Sequence, residues 1–190
     1  MFKCLNVKIV NKGVTLIEML VAVTMFGIIV GAISGLFISG IRSQRRVLST
    51  QELLDQTSYV MEYMGRALRV AKKDLTGTCI PVKTNYQTNP PTDNWIKFID
   101  YNGICTEFFL DTANKQLKKT AGGATLPLTS TKLQVNSFRI SLSGAEQPPT
   151  DYLQPRVTIF LEVLGREAAG SRPKIQIQTS ISQRNLDVQY

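Results

Sequence analysis

A long apolar run without charged side chains dominates the hydropathy pattern near the N-terminus. The 23 residues 19–41 contain no Asp, Glu, Lys or Arg. At a rise of about 1.5 Å per residue, roughly 20 apolar residues cross the hydrocarbon core of a bilayer. The run therefore predicts a membrane-spanning helix, and the single carboxylate of Glu18 lies at its N-terminal end.

A second helical pattern follows the apolar run. Since no proline occurs before Pro81, the helix can continue beyond the membrane. A semi-apolar stripe with heptad spacing comprises Val47, Thr50, Leu54, Thr57, Met61, Met64, Leu68 and Ala71. Its threonines make it a poor coiled-coil seam, so we expect it to pack on a sheet of the same chain. The pattern predicts an amphipathic helix that ends near residues 74–77.

Beyond Gly77 the chain consists of short segments with strand-like alternation. The predicted strands are residues 95–101, 104–110, 115–120, 132–143, 156–164 and 174–182. The pair Asn102-Gly103 between the first two strands is a strong hairpin signal. Short, closely spaced strands of this kind predict an antiparallel sheet, and with the helix they give an α+β fold.

The composition argues against an enzyme. The chain contains no histidine, which excludes Ser/His/Asp and Cys/His catalytic sites. It has neither a glycine-rich phosphate loop nor a calcium loop of alternating Asp and Asn. Asp100, Asp111 and Asp151 are scattered. We therefore predict no catalytic residues, no cofactor and no metal site.

The order of features at the N-terminus is unlike that of a secretory signal, which places an apolar region of about 7–15 residues before its cleavage site. Here a short basic leader ends in Gly13, and the apolar run comes afterwards. Glycine, then four residues, then Glu18 at the start of a membrane helix resembles the prepilin signal of type IV pilins and pseudopilins. The matching residues are Gly13, Val14, Thr15, Leu16, Ile17 and Glu18, followed by residues 19–23.

The resemblance implies a processing site and a docking residue. A prepilin peptidase would cleave between Gly13 and Val14, and Val14, which stands where the family usually has an aromatic residue, would become the methylated N-terminus. Glu18 would take part in docking between subunits. The residues alone also allow another interpretation, in which Glu18 lies at the headgroup level and is favoured by the helix macrodipole.

The resemblance also implies a pilin-like fold, in which a long N-terminal helix packs on an antiparallel sheet domain. We divide the chain into a cleaved leader (1–13), a transmembrane helix (14–41), an amphipathic helix (42–76) and a sheet domain (77–190). The chain would be a single-pass protein of the cytoplasmic membrane, with its C-terminal domain outside the cytoplasm. Three lysines precede the span and three arginines follow it, so the orientation rests on the resemblance and not on charge.

The cysteines leave two alternatives open. Cleavage would remove Cys4 with the leader and leave Cys79 and Cys105 in the part expected outside the cytoplasm. A disulfide between them is expected in an oxidising compartment. Two buried free thiols in a sheet are the other interpretation.

The function predicted from the resemblance is structural. The chain would be a minor pseudopilin or minor pilin of a type II secretion pseudopilus or a type IV pilus-like filament, acting in filament assembly and protein secretion. Residues 61–69 and 182–185 make it most similar to the J-type minor pseudopilins. Its expected partners are a prepilin peptidase, sibling pilins and the membrane.

Two other functions remain open. The formal net charge of +8, which falls to +5 without the leader lysines, mildly favours a DNA-uptake or adhesive subunit. No basic stripe with interleaved aromatic residues supports nucleic-acid binding, however. An enzyme held by a signal anchor is the third alternative.

Overall fold

The computed structural model describes residues 13–146, 150, 152–166 and 172–184. Within these residues it contains one long helix, α1 (Leu16–Arg69), and eight strands. The strands are β1 (Gln87–Thr88), β2 (Trp95–Ile99), β3 (Cys105–Asp111), β4 (Gln116–Ala121), β5 (Ala124–Pro127), β6 (Leu133–Ser143), β7 (Arg156–Gly165) and β8 (Lys174–Ser182). The predicted α+β class is confirmed. The chain divides into two compact units between Arg45 and Arg46.

The strands of the second unit form two antiparallel sheets, where the sequence led us to expect one. β1 to β5 form a five-stranded sheet in chain order, and β6 to β8 form a three-stranded sheet. Isolated backbone hydrogen bonds join the sheets: Val135 N–H donates to Lys115 O (2.8 Å) and Ile140 N–H donates to Asp93 O (2.9 Å). Because these bonds do not continue as a ladder, β6 starts a separate sheet.

The predicted hairpin at Asn102-Gly103 is present, although its loop is longer than two residues. β2 and β3 pair up to Ile99 and Cys105, and residues 100–104 form the connection. Asp100 organises this loop, since its Oδ1 accepts the N–H groups of Asn102 and Ile104 at 2.9 Å each. The strands therefore stop short of Tyr101 and Ile104.

Two strands were missed by the sequence analysis. β1 has two residues, which is too short to show an alternation. β5 lies next to a polar, glycine-containing segment, and its residues are all exposed. Gly122 (φ 57°) and Gly123 (φ 83°) make the turn between β4 and β5, a conformation that glycine adopts without strain.

The core lies between the C-terminal part of α1 and both sheets. From the five-stranded sheet it contains Ile96, Phe98, Phe108 and Leu117. From the three-stranded sheet it contains Val135, Phe138, Ile140 and the inward-facing residues of β7, which are Val157, Ile159, Leu161 and Val163 as predicted. On the helix the buried positions include Leu53, Thr57, Val60, Met61, Met64 and Leu68.

The heptad stripe is correct from Thr57 onwards and wrong before it. Leu54 is 44% exposed and Val47 is 53% exposed, whereas Leu53 is 1% exposed. Adjacent residues of an α-helix lie about 100° apart around its axis, so Leu53 and Leu54 belong to different sides of the helix. The core includes Leu53, and the stripe departs from the buried face at its N-terminal end.

The helix ends at Arg69, several residues before the predicted boundary near 74–77. Three backbone carbonyls at this end accept hydrogen bonds from distant segments: Leu68 O from Tyr86 Oη (2.7 Å), Arg69 O from Arg184 N (2.7 Å) and Ala71 O from Gln183 Nε2 (2.8 Å). Lys72 then pairs with Ile99 at the end of β2. These tertiary partners satisfy carbonyls that a helix end leaves open, and the backbone leaves the helix to meet the sheet.

A buried carboxylate organises the loop after the helix. Asp74 Oδ1 accepts the N–H groups of Thr76 (2.9 Å) and Gly77 (2.7 Å), and Oδ2 accepts those of Cys79 (2.8 Å) and Ile80 (3.1 Å). These backbone donors, Cys79 N–H foremost, hold the pKa of Asp74 well below its usual range. The charged form of Asp74 thus stabilises the loop that carries Cys79.

We predict different costs for two neighbouring leucines. Leu53→Ala removes a buried side chain and should destabilise the protein by about 2–5 kcal/mol. Leu54→Ala, the matched control on the exposed side, should cost about 0.5 kcal/mol or less. Denaturant unfolding in detergent, followed by the fluorescence of the single tryptophan Trp95, measures both. Equal losses would contradict the burial of Leu53.

We also predict a pH-dependent contribution from Asp74. Its lowered pKa means that the contribution is fully present above the unfolded-state pKa of about 4 and is lost as pH falls towards the folded-state value. Asp74→Asn should therefore be less stable than wild type at pH 7, and the difference should shrink below about pH 4. Thermal unfolding across this range tests it, with the exposed Asp55→Asn as control. A difference that is constant with pH would argue against a charged Asp74.

Candidate processing and docking site

The predicted cleavage bond lies in exposed, non-helical chain directly before α1. Gly13 and Val14 are both exposed, and the helix begins at Leu16. Among the described residues, and apart from its chain neighbours, no atom lies within 4 Å of the place where a side chain of Gly13 would begin. The leader residues 1–12, including Lys3, Cys4, Lys8 and Lys12, lie outside the described residues. The described part of this site is open to an approaching peptidase.

Glu18 and Thr15 form a capping box at the start of α1. The Thr15 N–H donates to Glu18 Oε2 (3.2 Å), and the Glu18 N–H donates back to Thr15 Oγ1 (3.3 Å). The Thr15 hydroxyl also donates to Glu18 Oε2 (3.1 Å). This reciprocal pair satisfies two of the N–H groups that a helix N-terminus leaves open. The spacing Thr-x-x-Glu before an apolar run could have revealed it, and our sequence analysis missed it.

The capping box adds a further role for Glu18 to the two that the sequence suggested. All the atoms of the box belong to residues after Val14, so cleavage at Gly13 leaves it intact. The interpretation of Glu18 as a residue of the first helical turn agrees with this geometry. The docking role needs a partner chain, and it stays a prediction.

The N-terminal part of α1 exposes an apolar surface. Every residue from Gly13 to Leu48 is exposed. Among the described residues, α1 is the one helix long and apolar enough to cross a membrane by length and composition. Two hydroxyls within the run bond to the helix's own backbone, Thr24 Oγ1 to Val21 O (2.9 Å) and Ser34 Oγ to Val30 O (2.8 Å). The run therefore satisfies the hydrogen bonds of these two hydroxyls internally, as a lipid environment requires.

The structure joins the two cysteines for which the sequence left a disulfide and two free thiols as alternatives. Cys79 in the loop after α1 and Cys105 at the start of β3 form a disulfide across a sequence separation of 26. Closing a loop of this length stabilises a fold by about 3–4 kcal/mol. The disulfide and the Asp74 carboxylate both hold the same loop, one from the sheet and one from the helix end.

The described residues do not contain a group of three or more His, Cys, Asp or Glu side chains placed to hold a metal ion. Asp100 and Asp111 organise loops instead: Asp111 Oδ2 accepts from Lys118 (2.6 Å) and from Asn114 Nδ2 (2.7 Å). These donors lower the pKa of Asp111, the Lys118 ammonium foremost. Asp151 lies outside the described residues.

Comparison with protein families gives a match that falls on this site. Residues 10–34 match the family model described as "Prokaryotic N-terminal methylation motif". The chain carries a prokaryotic N-terminal methylation motif. This match supports a pilin- or pseudopilin-type subunit that is processed at its N-terminus. The comparisons with curated proteins and with solved structures give no match.

Proposed function

We propose that this chain is a membrane-anchored minor pseudopilin or minor pilin, a structural subunit of a type II secretion pseudopilus or a type IV pilus-like filament. The observation that carries the proposal is the methylation motif at the start of a helix that exposes an apolar surface along its N-terminal part. Such a surface needs lipid or other helices around it, because water does not solvate it favourably. A filament subunit meets both environments in turn.

We assign a different role to each of the two compact units. Residues 1–13 would be removed by a prepilin peptidase, and residues 14–41 would span the cytoplasmic membrane and later pack beside sibling pilins. Residues 46–184 contain the core and the disulfide, which suits a folded domain outside the cytoplasm. Within this class we propose a J-type minor pseudopilin that acts in filament assembly and protein secretion, from the resemblance of residues 61–69 and 182–185.

The first test of the proposed function is N-terminal processing. In a host with a prepilin peptidase, the intact mass of the membrane-extracted protein should lack residues 1–13 and carry one extra methyl group on Val14. The same chain expressed without the peptidase is the control and should keep Met1. Retention of Met1 in the peptidase-positive host would contradict the proposal.

The second test separates the charge of Glu18 from its capping role. After cleavage the α-amino group of Val14 is cationic at neutral pH, with a reference pKa of about 7.7–8.0. Glu18 would pair with this amine in its own chain or in an incoming subunit. Glu18→Ala removes both the charge and the capping acceptor, whereas Glu18→Gln keeps an acceptor for the Thr15 N–H and removes only the charge.

If the charge of Glu18 mediates docking between subunits, both variants should still insert into the membrane and be cleaved normally. Each variant removes a charge from the segment and adds none. Both should also capture sibling pilins at least about tenfold less well, because losing one partner of a desolvated ion pair costs several kcal/mol. Crosslinking of membranes that carry each variant measures this capture. Normal capture by Glu18→Gln together with a loss in Glu18→Ala would mean that Glu18 acts as a cap alone.

A further inference from the structure

A basic groove lies at the C-terminal end of α1, within the folded domain. Its volume is about 600 Å³. We use the name basic groove for the cavity whose main lining side chains are Tyr63, Arg66, Arg69, Tyr101, Lys119 and Arg184. The lining contains four cations and one acid, Asp100. The groove thus concentrates positive charge in one concave place on the domain.

Contacts between distant segments bring these cations together. The Arg184 N–H donates to Arg69 O (2.7 Å), which places the two arginines at the same rim. Lys119 on β4 donates from Nζ to Tyr63 Oη (2.8 Å). Cations from α1, from β4 and from the residues after β8 therefore converge on one groove.

The helix dipole explains part of this charge. Arg66 and Arg69 lie in the last turn of α1, where cations are favourable. Arg66 is also held by Glu62, with 2.6 Å between Nε and Oε1. Neither the dipole of α1 nor the ion pair with Glu62 explains the positions of Lys119 and Arg184, which belong to other segments. Asp100 Oδ1 accepts the backbone N–H groups of Asn102 and Ile104 in its own loop.

We propose that the basic groove binds an acidic segment of a partner protein, with two or more carboxylates spaced to reach its arginines. Arginine guanidinium groups bind carboxylates through two parallel hydrogen bonds, which adds specificity to the attraction. Within the described part of the chain no side-chain hydrogen bond or ion pair within 4 Å holds the guanidinium groups of Arg69 and Arg184, although the pKa of Glu62, which Arg66 lowers most, is also lowered by the charge of Arg69. The groove is thus suited to acidic side chains.

The surroundings of Tyr63 in the groove favour a peptide over a nucleic acid. Single-stranded nucleic acids stack their bases on open aromatic faces. Tyr63 is already surrounded, since Lys119 Nζ lies 5.4 Å from its ring centroid, Tyr59 stacks on it and Phe108 meets it edge-on. Tyr101 is 68% exposed, with Lys72 Nζ 5.2 Å from its ring centroid, so Tyr63 is the ring of the groove that is closed to bases. The cations also converge in one groove and do not follow an extended path.

The inference goes beyond the proposed filament role, because it assigns a partner class to the folded domain and does not depend on processing at Gly13. The test uses the full chain in detergent micelles and a fluorescein-labelled hexaglutamate peptide. Fluorescence anisotropy should show binding that weakens as salt rises above about 0.15 M. Labelled hexalysine is the peptide control and should not bind.

The groove variant is Arg69→Gln/Arg184→Gln, and it should bind hexaglutamate about tenfold more weakly or worse. The matched control is Lys115→Gln/Arg139→Gln, which removes the same charge from exposed positions outside the groove. It should bind as wild type does. An equal loss in both variants, or none in the groove variant, would overturn the proposal.

Binding of a single-stranded nucleic acid is tested with a labelled oligothymidylate that carries the same charge as hexaglutamate. Tighter binding of the oligothymidylate than of hexaglutamate, lost in the groove variant alone, would assign the groove to nucleic acid and overturn the acidic-peptide proposal. Unfolding measurements on both variants check that each of them is folded. The N-terminal mass of both variants is measured as well. Normal processing in a variant that has lost hexaglutamate binding shows that the groove and the filament proposal are tested separately.

Discussion

The buried face of α1 between Leu53 and Leu68 is the surface on which both sheets assemble. Phe98 and Phe108 reach it from the five-stranded sheet, and the inward residues of β7 complete the core from the three-stranded sheet. Because the sheets share few hydrogen bonds with each other, their relation depends on the helix that both of them cover. The end of this helix is held in the same way, by donors from Tyr86, Gln183 and Arg184.

One helix serves two environments. Its C-terminal part buries a mixed face of leucine, methionine, valine and threonine against protein, whereas its N-terminal part exposes an apolar surface all round. A helix that is apolar on all sides belongs in lipid or among other helices. The methylation motif covers residues 10–34 and thus much of this surface, and the proposed filament subunit would place the surface first in a membrane and then among other helices.

The start and the exit of α1 are both organised by a carboxylate. Glu18 accepts from Thr15 at the first turn, and Asp74 accepts from four N–H groups in the loop after the last turn. Asp74 and the disulfide together place Cys79 beside β3. At the helix end itself, the hydrogen bond from Arg184 N–H to Arg69 O joins two residues that line the basic groove.

The sequence by itself determined the features that depend on local composition and period. The charge-free run 19–41, the alternation of β7 and β8, the hairpin at Asn102-Gly103 and the even cysteine pair after Gly13 all follow from side-chain type and spacing. Only the tertiary structure decided the rest. The helix ends at Arg69, where Tyr86 and Arg184 donate to its last two carbonyls, and the buried face includes Leu53 and not Leu54 because the sheets cover that side. Arg69, Lys119 and Arg184 are far apart in the sequence, so no local pattern could show that they line one groove.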